Sequence, residues 1–209
     1  MGQRMEARLS RWLALIEGPE GREGRTRAVE EMQAVGTDTV LSLLAAKLAD
    51  PDLEVRCRAI LALLIVDAGR AIDLVLPMLN DPEDTVRWHA CGCLHDFGDE
   101  RAVGPLVTVL AGDPDPQVRG TAAYALGGVG SPAAIPALLE ALDSDHEPDL
   151  LGHSASSCAA TALDDILGTN ETRIRVSDSL CQMRSGKPDL DRLRRRAAGL
   201  FQQWSGGRP

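Results

Sequence analysis

The sequence predicts an all-α fold made of stacked helix pairs, and three observations carry that expectation. One block of about thirty residues is written three times. It reads DPDLEVRCRAILALLIVDAGRAIDLVLPML from Asp50, DPEDTVRWHACGCLHDFGDERAVGPLVTVL from Asp81 and DPDPQVRGTAAYALGGVGSPAAIPALLEAL from Asp113. Within each block the apolar residues recur at i, i+3, i+4 and i+7, the stripe of an amphipathic helix, and the two-residue alternation of a strand is found nowhere. The 209 residues are 44% apolar but hold only three Trp, two Phe and one Tyr. A core of Ala, Leu and Val suits closely packed helices better than a sandwich of sheets.

The elements follow in order. Leu9, Trp12, Leu13 and Ile16 share one helical face and predict a capping helix within residues 1–22. Four arginines, Arg25, Arg56, Arg87 and Arg119, then anchor repeats over 23–49, 50–80, 81–112 and 113–143, at spacings of 31, 31 and 32. Around each arginine, apolar residues at −1, +3, +4 and +7 outline a first helix (A). Only the first copy departs, with Gly24 where the others have valine. Gly36, Asp67, Gly98 and Gly130 mark a turn eleven residues past the arginine. A second helix (B) follows on the quartets Leu41/Leu44/Ala45/Leu48, Ile72/Val75/Leu76/Leu79, Val103/Leu106/Val107/Leu110 and Ile135/Leu138/Leu139/Leu142. Asp50-Pro51, Asp81-Pro82, Asp113-Pro114 and Ser131-Pro132 are expected to supply a capping oxygen followed by proline in the first helical position, which explains how twelve prolines fit a helical chain. After Leu142 the register slips: Ala159, Ala160 and Leu163 match Ala122, Ala123 and Leu126 at a spacing of 37. Residues 144–209 thus form a degenerate last repeat, with a fifth A helix from about Ser154 to Leu167, an irregular loop over 168–187 and a final helix from about Asp189 to Trp204. A lone helix pair cannot bury its own stripe, so units of this kind stack into a solenoid, here of about four full pairs plus caps.

Charge and composition narrow the function classes. The net charge of −9 is uneven: residues 50–149 hold 18 acidic against 6 basic side chains, and residues 170–209 hold 4 against 9. An acidic body repels phosphate, so nucleic-acid binding is disfavoured. Five cysteines at irregular spacing indicate a reducing compartment instead of a disulfide framework. The start of the chain, MGQRMEARLSRW, has no signal-peptide run and fits no myristoylation pattern, and no stretch is apolar enough to span a bilayer. The expectation is a cytoplasmic protein without a membrane partner.

The block from Asp113 to Leu142 resembles, nearly position for position, the HEAT repeat of the short bacterial type named after phycobilisome lyases, D-P-x-x-x-V-R-x-x-A-A-x-A-L-G-x-L-G followed by A-I-P-x-L-x-x-x-L. The resemblance covers about 24–167. It implies a right-handed α-α superhelix of the HEAT/armadillo type. For function it implies scaffolds above all, with lyases, chaperones and a few enzymes on the same repeat. It also implies that Asp50, Asp81 and Asp113, with Arg56, Arg87 and Arg119, stitch neighbouring units together.

Candidate chemistry is sparse. In WHACGCLH, His89, Cys91, Cys93 and His95 have the composition of a zinc site. At about 100° per residue, however, His89 and Cys93 share one side of the helix while Cys91 and His95 lie on the other, and four ligands cannot converge that way. The two cysteines fall in core slots that hold Ala123 and Ala125 in the next block. The pair His146-Glu147 is similar to the His-Glu pairs of deoxyhypusine hydroxylases, di-iron enzymes built on this repeat. That chemistry needs such pairs on several A helices, where this chain has Arg58-Ala59, His89-Ala90 and Thr121-Ala122. No catalytic, metal or cofactor-binding residue is therefore assigned.

What remains is surface. Leu43, Leu74 and Pro105 at one phase of helix B, and Met78 and Val109 at another, are apolar between the core positions and form a candidate ribbon for a partner protein or peptide. Trp88 and His89, beside the arginine of an A helix, are candidates for a contact at the surface or in a seam between repeats. Asp81, Glu83, Asp84, Asp113, Asp115, Asp143, Asp145, Glu147 and Asp149 line an acidic edge. Arg173, Arg175, Arg192 and Arg194 to Arg196 have two readings, an internal contact with that edge or the capture of an acidic partner. The sequence is read as a noncatalytic protein-binding scaffold, the alternative being a phycobilin-lyase-like or other cofactor-handling protein.

Overall fold

The structure is a computed structural model and describes residues 2–16, 18–148, 153–168, 176–177, 180–181 and 190–207. Loop 168–187, with Arg173 and Arg175, and also Asp149 of the acidic edge, lie almost wholly outside those residues. The chain divides into two compact units, Met1–Cys93 and Leu94–Pro209.

In the first unit, α1 (Gly2–Ile16), α2 (Gly21–Val35), α3 (Thr37–Lys47) and α4 (Leu53–Val75) run into a 3₁₀ turn (Leu76–Asn80) and the start of α5 (Asp84–Phe97). The capping helix α1 packs on α2 and α4 and buries Leu9, Trp12, Leu13 and Ile16. The Trp12 indole N–H donates to Glu31 at 2.9 Å, Arg11 pairs with the same carboxylate at 2.7 Å, and Arg8 lies over the Trp12 ring at 5.1 Å. This close docking accounts for Gly24. A Cβ there would stand 2.9 Å from the Leu15 carbonyl oxygen of α1, a contact the valine of the other copies could not make.

Three of the four turns eleven residues past the arginines are made in one of two ways. Gly36 and Gly130 adopt φ of 105° and 72°, which glycine reaches without the Cβ clash of other residues. Asp67 instead takes an extended φ of −162° inside α4, breaking the helix, and its carboxylate accepts the Arg70 N–H at 3.2 Å to restart it.

The expected caps are displaced by two residues. Asp50, Asp81 and Asp113 accept the N–H of Asp52, Glu83 and Asp115 at 3.1, 3.0 and 2.9 Å, folding the chain into a turn ahead of the helix. Asp52 and Asp115 then cap α4 and α7, each with its carboxylate on the N–H two residues further on. Pro51, Pro82 and Pro114 sit in the turn and not in the first helical position. Ser131-Pro132 behaves as expected, the hydroxyl accepting from Ala133. Pro105 lies inside α6.

The second unit contains α6 (Glu100–Gly112), α7 (Pro116–Val129), a 3₁₀ turn (Pro132–Ala134), α8 (Ile135–Ser144), α9 (Ala155–Leu167) and α10 (Leu190–Gly206). A two-residue antiparallel pairing joins β1 (Val176–Ser177) to β2 (Leu180–Cys181). α7 packs between α6 and α9, while α10 closes over α8 and α9 with Leu193 and Ala197 buried. α9 starts at the expected place, with a reciprocal cap between Ser154 and Ser157.

The core stripe of helix B is rotated by about one residue from the sequence reading. Val40, Ala71, Ala102 and Ala134, each just before its quartet, are fully buried, while Ala45, Leu76, Val107 and Leu139 are only half-buried. Leu41, Val75, Leu106 and Leu138 are buried as the pattern requires.

Candidate interaction surfaces

The recurring arginine and aspartate form clamps within each unit. In the first, the Arg56 guanidinium grips Asp81 with two hydrogen bonds of 2.9 Å and donates a third to the Asp50 carbonyl at 2.9 Å. In the second, Arg119 donates to Asp145 at 2.5 Å, to Glu147 at 2.7 Å and to the Asp113 carbonyl at 2.9 Å. Arg87 repeats the carbonyl contact, reaching Asp81 O at 2.9 Å. These carboxylates raise the Arg56 and Arg119 pKa values further, chiefly through the hydrogen bonds to Asp81 and Asp145. Arg25, the counterpart in the first copy, is exposed, and Lys47 faces Asp50 at 3.5 Å instead.

Sequence reasoning missed Asp145 and Glu147 as clamp residues because the inserted turn there lacks the Asp-Pro signature. A signal was nevertheless present: a carboxylate stands 25 residues after Arg56 and 26 after both Arg87 and Arg119.

The apolar ribbon survives in part. Leu74 is 38% exposed, and Leu43 and Pro105 are half-buried. Met78 and Val109 belong to the core instead, at 8% and 6% exposure. For Met78 the reason is the 3₁₀ turn, in which residues three apart eclipse, so that Met78 falls in line with buried Val75. For Val109 it is the rotated stripe of α6, which places it with Ala102 and Leu106.

On α5, Trp88 is 42% exposed and His89 is half-buried, their rings tilted at 6.5 Å. Cys91 and Cys93 are buried, and among the described residues no three His, Cys, Asp or Glu side chains are placed to hold a metal ion. His95 makes a contact that the sequence did not suggest. Its ring stacks on Tyr124 of α7 at 4.0 Å and 3°, with Nδ1 2.8 Å from Asp96. Gly128 permits this, since a Cβ there would be 2.4 Å from the His95 carbonyl oxygen. Burial raises the Tyr124 and Asp165 pKa values, the negative charges of Asp96 and Asp164 respectively adding to the effect. Asp99, capping α6, is held below the usual carboxylate range by its hydrogen bonds from Arg101.

Of the two readings for the C-terminal arginines, the structure shows the internal one for Arg194, which bonds Asp143 at the end of α8 and Asp191 within α10. Arg192, Arg195 and Arg196 are exposed on the outer face of α10. No helix among the described residues is long and apolar enough to cross a membrane.

Helix pairs joined by short turns and clamped through a recurring arginine define an α-helical repeat protein. The sequence model of HEAT repeats matches residues 9–87 and 72–159, and the chain belongs to the HEAT-repeat family. None of the curated proteins matches it in sequence. Among solved structures it is similar to the complex of CpcE and CpcF of phycocyanin lyase from Nostoc sp. PCC7120, at 20% identity and a TM-score of 0.56 over 91% of this chain and 74% of that one. An engineered protein aligns at 18% identity and a TM-score of 0.49, over 93% of this chain and 96% of that one.

Proposed function

We propose that the chain is a noncatalytic scaffold that holds a partner protein or peptide on the surface of its B helices, with Leu43 and Leu74 contributing in the first unit and Pro105 in the second. The observation that carries this reading is Leu74. It is a large apolar side chain left 38% exposed on a helix that buries Ala71, Ile72 and Val75. The exposed part of that side chain is available to a partner. HEAT repeats suit the role because stacked pairs present a long surface at small cost in core volume.

The test is affinity capture from the native host followed by mass spectrometry, with the parent chain and Leu74→Ser compared. Capture of a partner that is lost in the variant, with the melting temperature unchanged, supports the reading. Equal capture by both chains refutes it. The likeness in fold to the phycocyanin lyase subunits favours a second reading, handling of a bilin chromophore. Visible absorbance that stays with the purified chain after incubation with a bilin would replace the scaffold reading with that one.

A further inference from the structure

We infer that the edge of the first unit around Trp88 receives a basic segment of a partner protein, one that presents arginine or lysine side chains. The inference rests on the scaffold reading and adds the chemistry of what is bound, on a surface separate from Leu74.

The edge is assembled by the Arg56 clamp. Arg56 of α4 grips Asp81, three residues ahead of the start of α5, and so ties the entry to α5 to the first turn of α4. Exposed carboxylates stand at the start of each helix: Asp52 and Glu54 at α4, Glu83 and Asp84 at α5. Trp88 lies four residues beyond Asp84, on the same face of α5, and is 42% exposed. An exposed indole one helical turn beyond a carboxylate attracts a cation twice over, through the negative face of the ring and through charge pairing with Asp84.

The molecule displays the same chemistry internally, where Arg8 lies over the Trp12 ring at 5.1 Å and Arg11 pairs with Glu31, the carboxylate that also binds the indole N–H. The cations near the edge are engaged with the chain itself. Arg56 is on Asp81, Arg87 on the Asp81 carbonyl, Arg58 on Glu54 at 3.5 Å and Arg70 on Asp38 at 2.6 Å. Residues 50–93 hold eight acidic against four basic side chains, so the surplus charge is negative. An acidic or phosphorylated segment is repelled here, and a purely apolar one would make no use of the surplus negative charge.

The probe is a fluorescein-labelled peptide in which four arginines alternate with alanines, titrated with the full chain at low salt and followed by anisotropy. Trp88→Leu keeps an apolar side chain but loses the π face, and Glu83→Gln with Asp84→Asn removes two charges from the edge. Asp73→Asn with Glu140→Gln removes two exposed charges elsewhere and is the control. The edge variants are expected to weaken binding about fivefold each, and the control less than about twofold. Equal weakening by the control would reduce the effect to diffuse charge and overturn the inference, as would unchanged binding by Trp88→Leu. Self-association of the chain that disappears in Arg195→Glu with Arg196→Glu would assign the edge to a second copy and overturn the foreign partner. Leu74→Ser leaves peptide binding intact, so this titration and the capture experiment fail independently.

Discussion

Asp165 shows how one side chain can work against the fold that holds it. Burial and the neighbouring Asp164 raise its pKa, and so the folded chain binds this proton more tightly than the unfolded chain does. Stability from the protonated form is full below the unfolded pKa and is lost as pH rises through the raised folded value. Asp165→Asn should therefore melt higher than the parent at pH 7 and equal to it at about pH 3. Because solvent reaches the carboxylate, the gain is discounted to about 1–2 °C; thermal melts at the two pH values check it, and a gain that is the same at both would contradict the assignment. At this scale the sequence was only partly legible. Leu74 and Trp88 could be picked out, because an apolar side chain off the stripe has nowhere to hide. Met78 could not, since whether a helix tightens into a 3₁₀ turn depends on the chain around Pro77 and not on the apolar pattern. The stack of His95 on Tyr124 was equally invisible, as it depends on the absence of a side chain at Gly128, on a different helix.

Among the elements, the clamp between one helix pair and the turn that opens the next is the main polar joint. Arg56 and Asp81 are both buried, and removal of one leaves the other charged and without its partner. Arg56→Ala should cost about 3 kcal/mol, read from urea denaturation, whereas loss of an exposed pair such as Arg58 with Glu54 costs below about 1 kcal/mol. A cost for Arg56→Ala within that lower range would show that the turn, and not the ion pair, holds the joint. The helices themselves were legible down to α9 and α10, because a stripe repeated four times averages out local exceptions. Their caps were not. Asp-Pro reads as cap and first position in isolation, but Asp50 and Asp113 take the N–H two residues on into a turn, and the helices start from Asp52 and Asp115 instead.

For the whole chain, repeat architecture makes stability a sum of local terms. The Arg56 clamp lies wholly within Met1–Cys93 and the Arg119 clamp wholly within Leu94–Pro209, and they share no residue. The double variant Arg56→Ala with Arg119→Ala should accordingly lose the sum of the two single losses to within about 0.5 kcal/mol. A shortfall or excess well beyond that, in equilibrium denaturation of all four proteins, would reveal coupling that the local clamps do not provide. The inserted turn after α8 carries one further consequence. Asp145 stands 26 residues after Arg119, as Asp113 does after Arg87, although no proline follows it and the distance to the next A helix has stretched to 37 residues. What is kept between neighbouring bricks is an aspartate 25 or 26 residues past the arginine, while the proline beside it and the length of chain beyond it vary. Such a joint lets a connection change length by insertion or deletion while the masonry on either side stays put, and it makes the link between α8 and α9 a natural graft point for new binding sequences.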